Sequence, residues 1–290
     1  MTPLRVLIIH RDNDHYRQLS GWWSSPVPEF IWQTKAVKAN DFTLNLKGAE
    51  RDFDLVVMDD WIFGEVRNRS IPLAYVVVDS ARSMAQLGRN LRQAKYADLL
   101  LIDSDEPGKF KTVPTKPVRR FAHAVQTDLF YPQEKKHDVG FLCWPTPERE
   151  EVREHLAKFC RAKGYSFITG KWPESEKYAE AIRSARLVVH KAHVEQARSW
   201  RVFDVMASAG CLLTTPLPEV SGDGIRGAEH YWTYRNLQEL ESQIETLLAD
   251  SYWQETARRG HEHIMTHHTW PVRAAELRQI ADVLIGIPAQ

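Results

Sequence analysis

Short apolar runs recur along the first hundred residues of the chain, and three of the four are followed directly by an aspartate. The four runs are Leu4–Ile9, Leu55–Met58, Ala74–Val78 and Leu99–Ile102. A continuous apolar run of this length predicts a strand that is buried on both faces, as in a parallel sheet. Between the last two runs, residues 83–97 repeat apolar side chains at helical spacing. Strand and helix therefore alternate as in a doubly wound α/β sheet.

A second series of strands and helices follows residues 107–132, a proline-rich stretch without long periodicity that indicates a connector. The pattern predicts strands at 138–143, 165–169, 185–190 and 211–214 and helices at 149–163, 177–184, 202–209, 237–248, 253–264 and 273–284. Two βα arrays in tandem predict two Rossmann-like domains, 1–125 and 126–272. The last segment, 273–290, is expected to be a helix that packs back on the first domain.

The composition agrees with two soluble globular domains. The 290 residues suffice for two hydrophobic cores, and 43% of them are hydrophobic and 26% charged. Lys+Arg and Asp+Glu both count 38, so no net charge attracts an anionic polymer and a nucleic-acid partner would need a local basic patch. No run approaches the roughly 18 apolar residues of a membrane span, and the N-terminus is unlike a signal peptide. We expect a cytoplasmic protein that is a monomer or homodimer and binds no membrane.

Three cysteines without a Cys-x-x-Cys pair predict reduced thiols and neither a disulfide scaffold nor a zinc site. Two Asp-x-Asp triplets, at 12–14 and 103–105, are typical of turns, and the histidines at 261–268 lack the spacing of a helical zinc site. These histidines are better explained as the polar end of a helix. We therefore predict no metal site.

The strand that is predicted to end at His190 is followed by a polar loop and by a helix that begins near Ser199. Ligands of open parallel sheets bind outside the carboxyl ends of the strands. Backbone N–H groups at the start of the helix, with Arg198 or Arg201, could bind a diphosphate there. His190 and His193 lie on the same loop and could touch a sugar or a phosphate, although structural roles fit both histidines as well.

Residues 201–214 read Arg-x-Phe-Asp-x-Met-Ala-x-x-Gly and continue into an apolar strand. This pattern resembles the donor-site helix of the group 1 glycosyltransferases and is most similar to the version in the spore-maturation-protein branch. The resemblance implies the GT-B fold, in which two Rossmann-like domains face each other across a cleft and a C-terminal helix crosses back. In that family the acidic residue of the motif binds the ribose hydroxyls, which implies this role for Asp204. On the residues alone, Asp204 could instead be an exposed helix residue, and Arg201 could merely pair with Asp204 or Glu195.

Three further stretches resemble the same family in the same order. Residues 121–132, with His123, resemble the segment that ends the N-terminal domain. Residues 138–149 resemble the first strand and loop of the donor domain, although Cys-Trp-Pro-Thr-Pro replaces the usual glycines, and residues 260–273 resemble the segment before the final helix. The resemblance implies that His123 and Arg149 belong to the nucleotide-sugar site.

Glycosyl transfer needs a group that takes the acceptor proton or stabilises charge as the diphosphate leaves. Candidates in the first domain follow the predicted strands, with Asp79 as the first choice and His15 as the second. Asp79 is equally suited to cap the helix that follows it.

Aromatic and basic residues in the first domain suggest where an acceptor binds. Trp22 and Trp23 follow the loop after the first strand, from which an indole could stack on a sugar or on a splayed base. Arg119 and Arg120 belong to a basic strip with three nearby lysines. These features admit a hydroxymethylated DNA base as the acceptor, and the zero net charge counts against it.

The leading hypothesis is transfer of a sugar, such as glucose from UDP-glucose, to a hydroxyl acceptor without a metal or cofactor beyond the nucleotide-sugar co-substrate. Two alternatives stay open. The first strands resemble those of a receiver domain, with Asp59 or Asp60 as the phosphorylated residue, although the expected strand-Lys-Pro segment is missing. The second alternative is a protein that binds a sugar nucleotide without catalysing transfer.

Overall fold

In the computed structural model the chain forms two compact units. The structure describes residues 2–11, 27–37, 40–58, 63–77, 84–102, 117–170, 175–192, 199–217 and 222–286. The first unit comprises Met1–Ala122 and Trp270–Gln290, and the second comprises His123–Thr269. The sequence places both boundaries a few residues later, after residues 125 and 272.

The first unit contains a six-stranded parallel sheet with the strand order β2-β1-β4-β6-β7-β8 and a separate parallel pair, β3-β5. Its elements are β1 (Leu4–Arg11), β2 (Phe30–Val37), β3 (Asn40–Asn45), a 3-10 turn (Ala49–Arg51), β4 (Leu55–Met58), β5 (Phe63–Arg67), β6 (Leu73–Val77), α1 (Met84–Ala94), β7 (Leu99–Ile102) and β8 (Val118–Arg120). Strands β4, β6 and β7 are buried at every position. Burial on both faces explains why their sequences are apolar without alternation. The stretch interpreted as a connector contributes a strand, β8, to the edge of this sheet.

The second unit contains a five-stranded parallel sheet with the order β10-β9-β11-β12-β13. Its elements are β9 (His137–Leu142), α2 (Pro147–Lys163), β10 (Phe167–Gly170), α3 (Ser175–Ser184), β11 (Ala185–His190), α4 (Trp200–Ala207), β12 (Cys211–Thr214), β13 (Trp232–Thr233), α5 (Leu237–Ala249) and α6 (Tyr252–His267). Leu187 and Val189 of β11 belong to one buried cluster with Leu156 of α2, whereas Val188 belongs to another with Val202 of α4. Helices therefore cover both faces of the sheet, as the sequence predicts.

Two glycines allow close packing around α4, one just after its C-terminal end and one beside it. Gly210 N donates to Val205 O at 3.0 Å, and Ala209 takes the left-handed position (φ 48°) that usually holds glycine. Gly210, the glycine of the motif that resembles the group 1 glycosyltransferases, does not take the left-handed position. It is needed for packing, because a Cβ there would lie 3.2 Å from Val205 Cγ1. On the side of the helix, a Cβ at Gly260 of α6 would lie 3.1 Å from Met206 Cγ. Helix α6 therefore lies directly against α4.

The last helix, α7 (Trp270–Leu284), belongs to the first unit although it follows the second in sequence. The buried indole of Trp270 lies 5.8 Å from the ring of Trp32 on β2. Arg278 Nη1 donates to Thr2 O at 2.8 Å, just before β1. These contacts make α7 part of the core of the first unit.

Candidate functional site

A group of polar side chains in the second unit surrounds His190, the last residue of β11. Its ring is 1% exposed, with Ser199 Oγ 3.1 Å from Nε2 and Arg201 Nη1 3.1 Å from Nδ1. Its carbonyl oxygen accepts from Tyr234 OH and from Thr215 N, each at 3.2 Å. Both ring nitrogens and the carbonyl are engaged, so the orientation of the imidazole is fixed.

These hydrogen bonds determine which nitrogen of His190 carries the proton. A guanidinium group has only donors, so Arg201 donates and Nδ1 accepts. Burial, and then the positive charges of Arg201 and Arg149, hold the pKa of His190 well below its ordinary value. The ring is therefore neutral at physiological pH, with its one proton on Nε2, and it donates to Ser199 Oγ.

Asp204 lies one helical turn after Arg201 on α4 and is only 7% exposed. Tyr178 OH, from α3, donates to Asp204 Oδ2 at 3.3 Å. Burial raises the pKa of Asp204 to about 7, against the opposing effects of the Arg201 charge and the Tyr178 hydrogen bond. The alternative that Asp204 is an exposed helix residue is therefore wrong. We call His190, Ser199, Arg201, Asp204 and Tyr178 the His190 cluster.

Arg149, on the first turn of α2, joins two loops beside this cluster. Its Nε and Nη2 donate to Lys191 O at 3.3 and 3.2 Å, and its Nη1 donates to Trp144 O at 3.3 Å. These carbonyls follow β11 and β9, which are neighbouring strands whose carboxyl ends lie at the same edge of the sheet. Three of the five guanidinium N–H groups are thus directed at the backbone, while the positive charge acts on His190.

The other residues that the sequence assigns to ligand binding lie in different places. His123 packs edge-on against Trp200 and Phe203 of α4, with ring centroids 5.7 and 5.6 Å apart. Arg119 and Arg120 lie on β8 of the first unit, and Arg119 is exposed. Six residues lie outside the described parts of the chain: His193, Arg198, Asp79, His15, Trp22 and Trp23.

Two members of the His190 cluster, Ser199 and Tyr178, were not predicted from the sequence as site residues. Ser199 is the residue that precedes α4, a position that is visible in the sequence, but its bond to His190 is not. Tyr178 lies on another helix, and no local pattern marks it as a partner of Asp204. Arg201 could have paired with Asp204 or Glu195 on the sequence alone. Its side-chain hydrogen bond goes to His190 and not to Asp204, and Glu195 lies outside the described residues.

Neither a metal site nor a membrane span is found among the residues that the structure describes. No group of three or more His, Cys, Asp or Glu side chains there could hold a metal ion, and none of the described helices is long and apolar enough to cross a membrane. The histidines near the end of α6 serve another purpose: His263 Nε2 and His268 Nε2 both donate to Asp223 O, at 2.7 and 2.9 Å. His268 is buried, so the interpretation of this segment as a polar helix end is wrong for that residue.

The His190 cluster combines positive charge with an acceptor group at the carboxyl edge of a parallel sheet. Arg201 lies in the first turn of α4, where backbone N–H groups and the helix dipole also favour an anion. Its Nε is buried without an acceptor among the described residues. Asp204 supplies carboxylate oxygens one turn away. This arrangement suits a ligand that carries both an anionic group and hydroxyl groups.

Residues 148–279 match the model of the family described as glycosyl transferase-like. That segment includes Arg149 and the whole His190 cluster. No curated protein sequence matches the chain.

Several solved structures share the fold of the chain. A sucrose-phosphate synthase from Thermosynechococcus elongatus has a TM-score of 0.64 at 10% identity, with 98% of this chain and 100% of that chain covered. HepE from Anabaena, in complex with UDP and glucose, has a TM-score of 0.63 at 9% identity, with 97% and 100% covered. The pneumococcal O-GlcNAc transferase GtfA, in complex with UDP and GlcNAc, has a TM-score of 0.54 at 10% identity, with 80% and 57% covered.

Identities this low establish the fold alone, and the fold of these neighbours is GT-B. The chain therefore has the GT-B fold, and the part of it that holds the His190 cluster matches the glycosyl transferase-like family.

Proposed function

We propose that the protein is a glycosyltransferase that moves a sugar from a nucleotide sugar to a hydroxyl acceptor. The observation that carries this proposal is the placement of Arg201 and Asp204 one turn apart on α4, within the segment that matches the glycosyl transferase-like family. A diphosphate fits against Arg201 and the first N–H groups of the helix. The ribose hydroxyls of the nucleotide then donate to the Asp204 carboxylate.

A UDP-sugar is the donor that we propose, and glucose is the sugar we would test first. The neighbours HepE and GtfA were solved with UDP, together with glucose and GlcNAc. In our proposal the second unit binds the donor without a metal or further cofactor, because Arg201, Arg149 and the helix N-terminus supply positive charge for the departing diphosphate. The motif around Asp204 also keeps the spore-maturation-protein-like branch as our proposal for the subgroup.

The first unit is proposed to bind the acceptor, with Asp79, and then His15, as the group that assists the chemistry. Both lie outside the described residues, so their roles rest on the sequence. Nucleotide binding without sugar transfer would identify the silent binding protein instead. A receiver domain is a single sheet-and-helix unit, and the two units found here are the wrong architecture for it.

Nucleotide binding can be tested by thermal unfolding with UDP, GDP, ADP, TDP and CMP. A ligand at about 100 times its Kd stabilises the folded state by roughly 2.7 kcal/mol. We expect UDP to raise Tm for the wild type, and we expect Arg201→Ala and Asp204→Ala to lose this response. Arg161→Ala, an exposed arginine on α2, is the matched control and should respond as the wild type does. If no nucleotide raises Tm with or without Mg²⁺, the proposed function is wrong.

For the acceptor we propose a hydroxymethylated DNA base, on the evidence of the basic residues of β8. Arg119 is exposed, and its one described side-chain hydrogen bond goes to Val118 O. Each phosphate contact contributes roughly −0.9 to the slope of log K against log salt concentration. Removing both arginines in Arg119→Ala/Arg120→Ala should therefore abolish binding or flatten this slope by about 1.8. Absence of DNA binding by the wild type at low salt would exclude this acceptor and leave the donor proposal intact.

A further inference from the structure

We propose that Ser199 is a further donor-binding residue, whose hydroxyl donates a hydrogen bond to the diphosphate while His190 positions it. This inference rests on the proposed function, because it assigns a contact within the same nucleotide site. The motif that resembles the group 1 glycosyltransferases begins at Arg201 and does not include this serine. The direction of the hydrogen bonds around His190 decides whether the Ser199 hydroxyl can donate to a ligand.

Ser199 occupies the N-cap position of α4 but does not cap the helix with its side chain. Its backbone is extended (φ −73°, ψ 156°), and its carbonyl oxygen accepts from Val202 N at 3.0 Å, as expected of an N-cap. An N-cap serine usually accepts a bond from an N–H group of the first turn with its side-chain oxygen. Here no such bond forms, and Oγ lies 3.1 Å from His190 Nε2 instead. The hydroxyl is therefore held by the strand end and not by its own helix.

The neutral tautomer of His190 leaves the Ser199 proton available. Arg201 donates to Nδ1, so Nε2 carries the ring proton and donates to Ser199 Oγ. A hydroxyl has one proton of its own, and no described residue accepts it. Donors then run in one direction, from Arg201 through His190 to Ser199, and each bond polarises the next.

The charges around this proton favour an anionic acceptor. Arg201 and Arg149 both act on His190 from close range, and the N-terminal end of α4 adds the positive end of its dipole. A hydrogen bond from a hydroxyl to a charged phosphate oxygen is shorter and stronger than one to a neutral group. We therefore assign the Ser199 contact to the diphosphate and not to the base or the sugar.

Calorimetric titration of UDP and of uridine separates this contact from the rest of the site. The Ser199→Ala variant should bind UDP about 10-fold more weakly, because a hydrogen bond to a charged group is lost. Its affinity for uridine should not change. Ser199→Thr keeps the hydroxyl and should restore the affinity for UDP. Ser251→Ala is the matched control, since Ser251 is the N-cap of α6 and also makes no side-chain capping bond.

The positioning role of His190 is tested with the same ligands in a double-mutant cycle. A glutamine can accept from Arg201 with its oxygen and donate to Ser199 with its nitrogen, so His190→Gln should retain most of the affinity for UDP. His190→Leu can do neither, and adding Ser199→Ala to it should cause no further loss. A merely structural role of His190 would give additive losses.

The outcomes distinguish this inference from the proposed function. If the wild type binds UDP and Ser199→Ala binds it equally well, the Ser199 contact is wrong and the proposed function stands. If Ser199→Ala weakens UDP and uridine by the same factor, the hydroxyl does not contact the diphosphate, and the inference is again wrong. If the wild type binds neither UDP nor any other nucleoside diphosphate, the proposed function and the inference are both wrong.

Discussion

Asp204→Asn is expected to make the protein more stable above pH 7 and to abolish its response to nucleotides. The carboxyl group is 7% exposed, and burial raises its pKa from 3.8 to about 7. Each pKa unit corresponds to about 1.4 kcal/mol, so ionising Asp204 in the folded state costs on the order of 4 kcal/mol. Asparagine has nearly the same shape and no charge, and its oxygen can still accept from Tyr178. The substitution removes this cost but also removes the acceptor for the ribose hydroxyls.

The pH dependence of the wild type follows from the sign of this shift. The folded-state pKa is raised above the unfolded value, so the contribution of Asp204 to stability is fully present below about pH 4. It is lost progressively as the pH rises towards 7 and stays lost above that. The difference in Tm between Asp204→Asn and the wild type should therefore be smallest at pH 5 and largest at pH 8, where it should reach roughly 5–10 °C. Nucleotide affinity of the wild type should rise over the same range as the carboxylate forms.

Thermal melts at pH 5, 6, 7 and 8, with and without UDP, measure both effects. Asp128→Asn, which changes an exposed acid in the same unit, should shift Tm by no more than the equivalent of about 0.5 kcal/mol. A lower Tm for Asp204→Asn at pH 8 would mean that a charged Asp204 stabilises the fold through Arg201. In that case the cost of burying the ionised Asp204 is not the dominant effect of this residue on stability.

The sequence predicted the central strands of both sheets, and the reason is their burial. β4, β7, β11 and β12 begin and end where the apolar runs do. The strands β2, β3, β5, β8 and β13 were not predicted. β2 lies at the edge of its sheet and exposes Ile31 by 59%, so its sequence lacks a continuous apolar run. β13 pairs only through Trp232 and Thr233, which is too short for any periodicity.

The site was predictable only as far as its residues lie close together in sequence. His190, Arg201 and Asp204 fall within one loop and one helix, so the topology of a parallel sheet was enough to group them. The burial of Asp204 depends on packing across helices, as its bond to Tyr178 on α3 shows. The direction of the bond at Nδ1 of His190 depends on where Arg201 lies in space. Neither the burial of Asp204 nor the direction of this hydrogen bond can be predicted from the local sequence.

Arg149→Met is expected to lower both stability and nucleotide affinity, because Arg149 holds two loops at the edge of the site. Its three hydrogen bonds to Lys191 O and Trp144 O come from a charged donor, and the side chain is buried. Bonds from charged groups contribute about 1.5–3 kcal/mol each, and carbonyls that lose a buried donor add a desolvation cost. We expect a loss of roughly 3–4 kcal/mol, after allowing for bonds that share one carbonyl. The methionine side chain fills much of the same space, so the loss of stability comes from the missing hydrogen bonds more than from a cavity.

Arg149→Lys separates the positive charge from the bridge between the loops. An ammonium keeps the charge near His190 but has no planar fork with which to reach both carbonyls. If the charge is what the nucleotide needs, the lysine variant should recover UDP affinity while Tm stays low. If the loops must also be held in place before the charge can act on the nucleotide, neither should recover. This is the result we expect, because the guanidinium is directed at the backbone of both loops. Arg161→Met, an exposed position on the same helix, should match the wild type in both measurements. Wild-type Tm and affinity in Arg149→Met would show that the loops after β9 and β11 are held in place by other contacts.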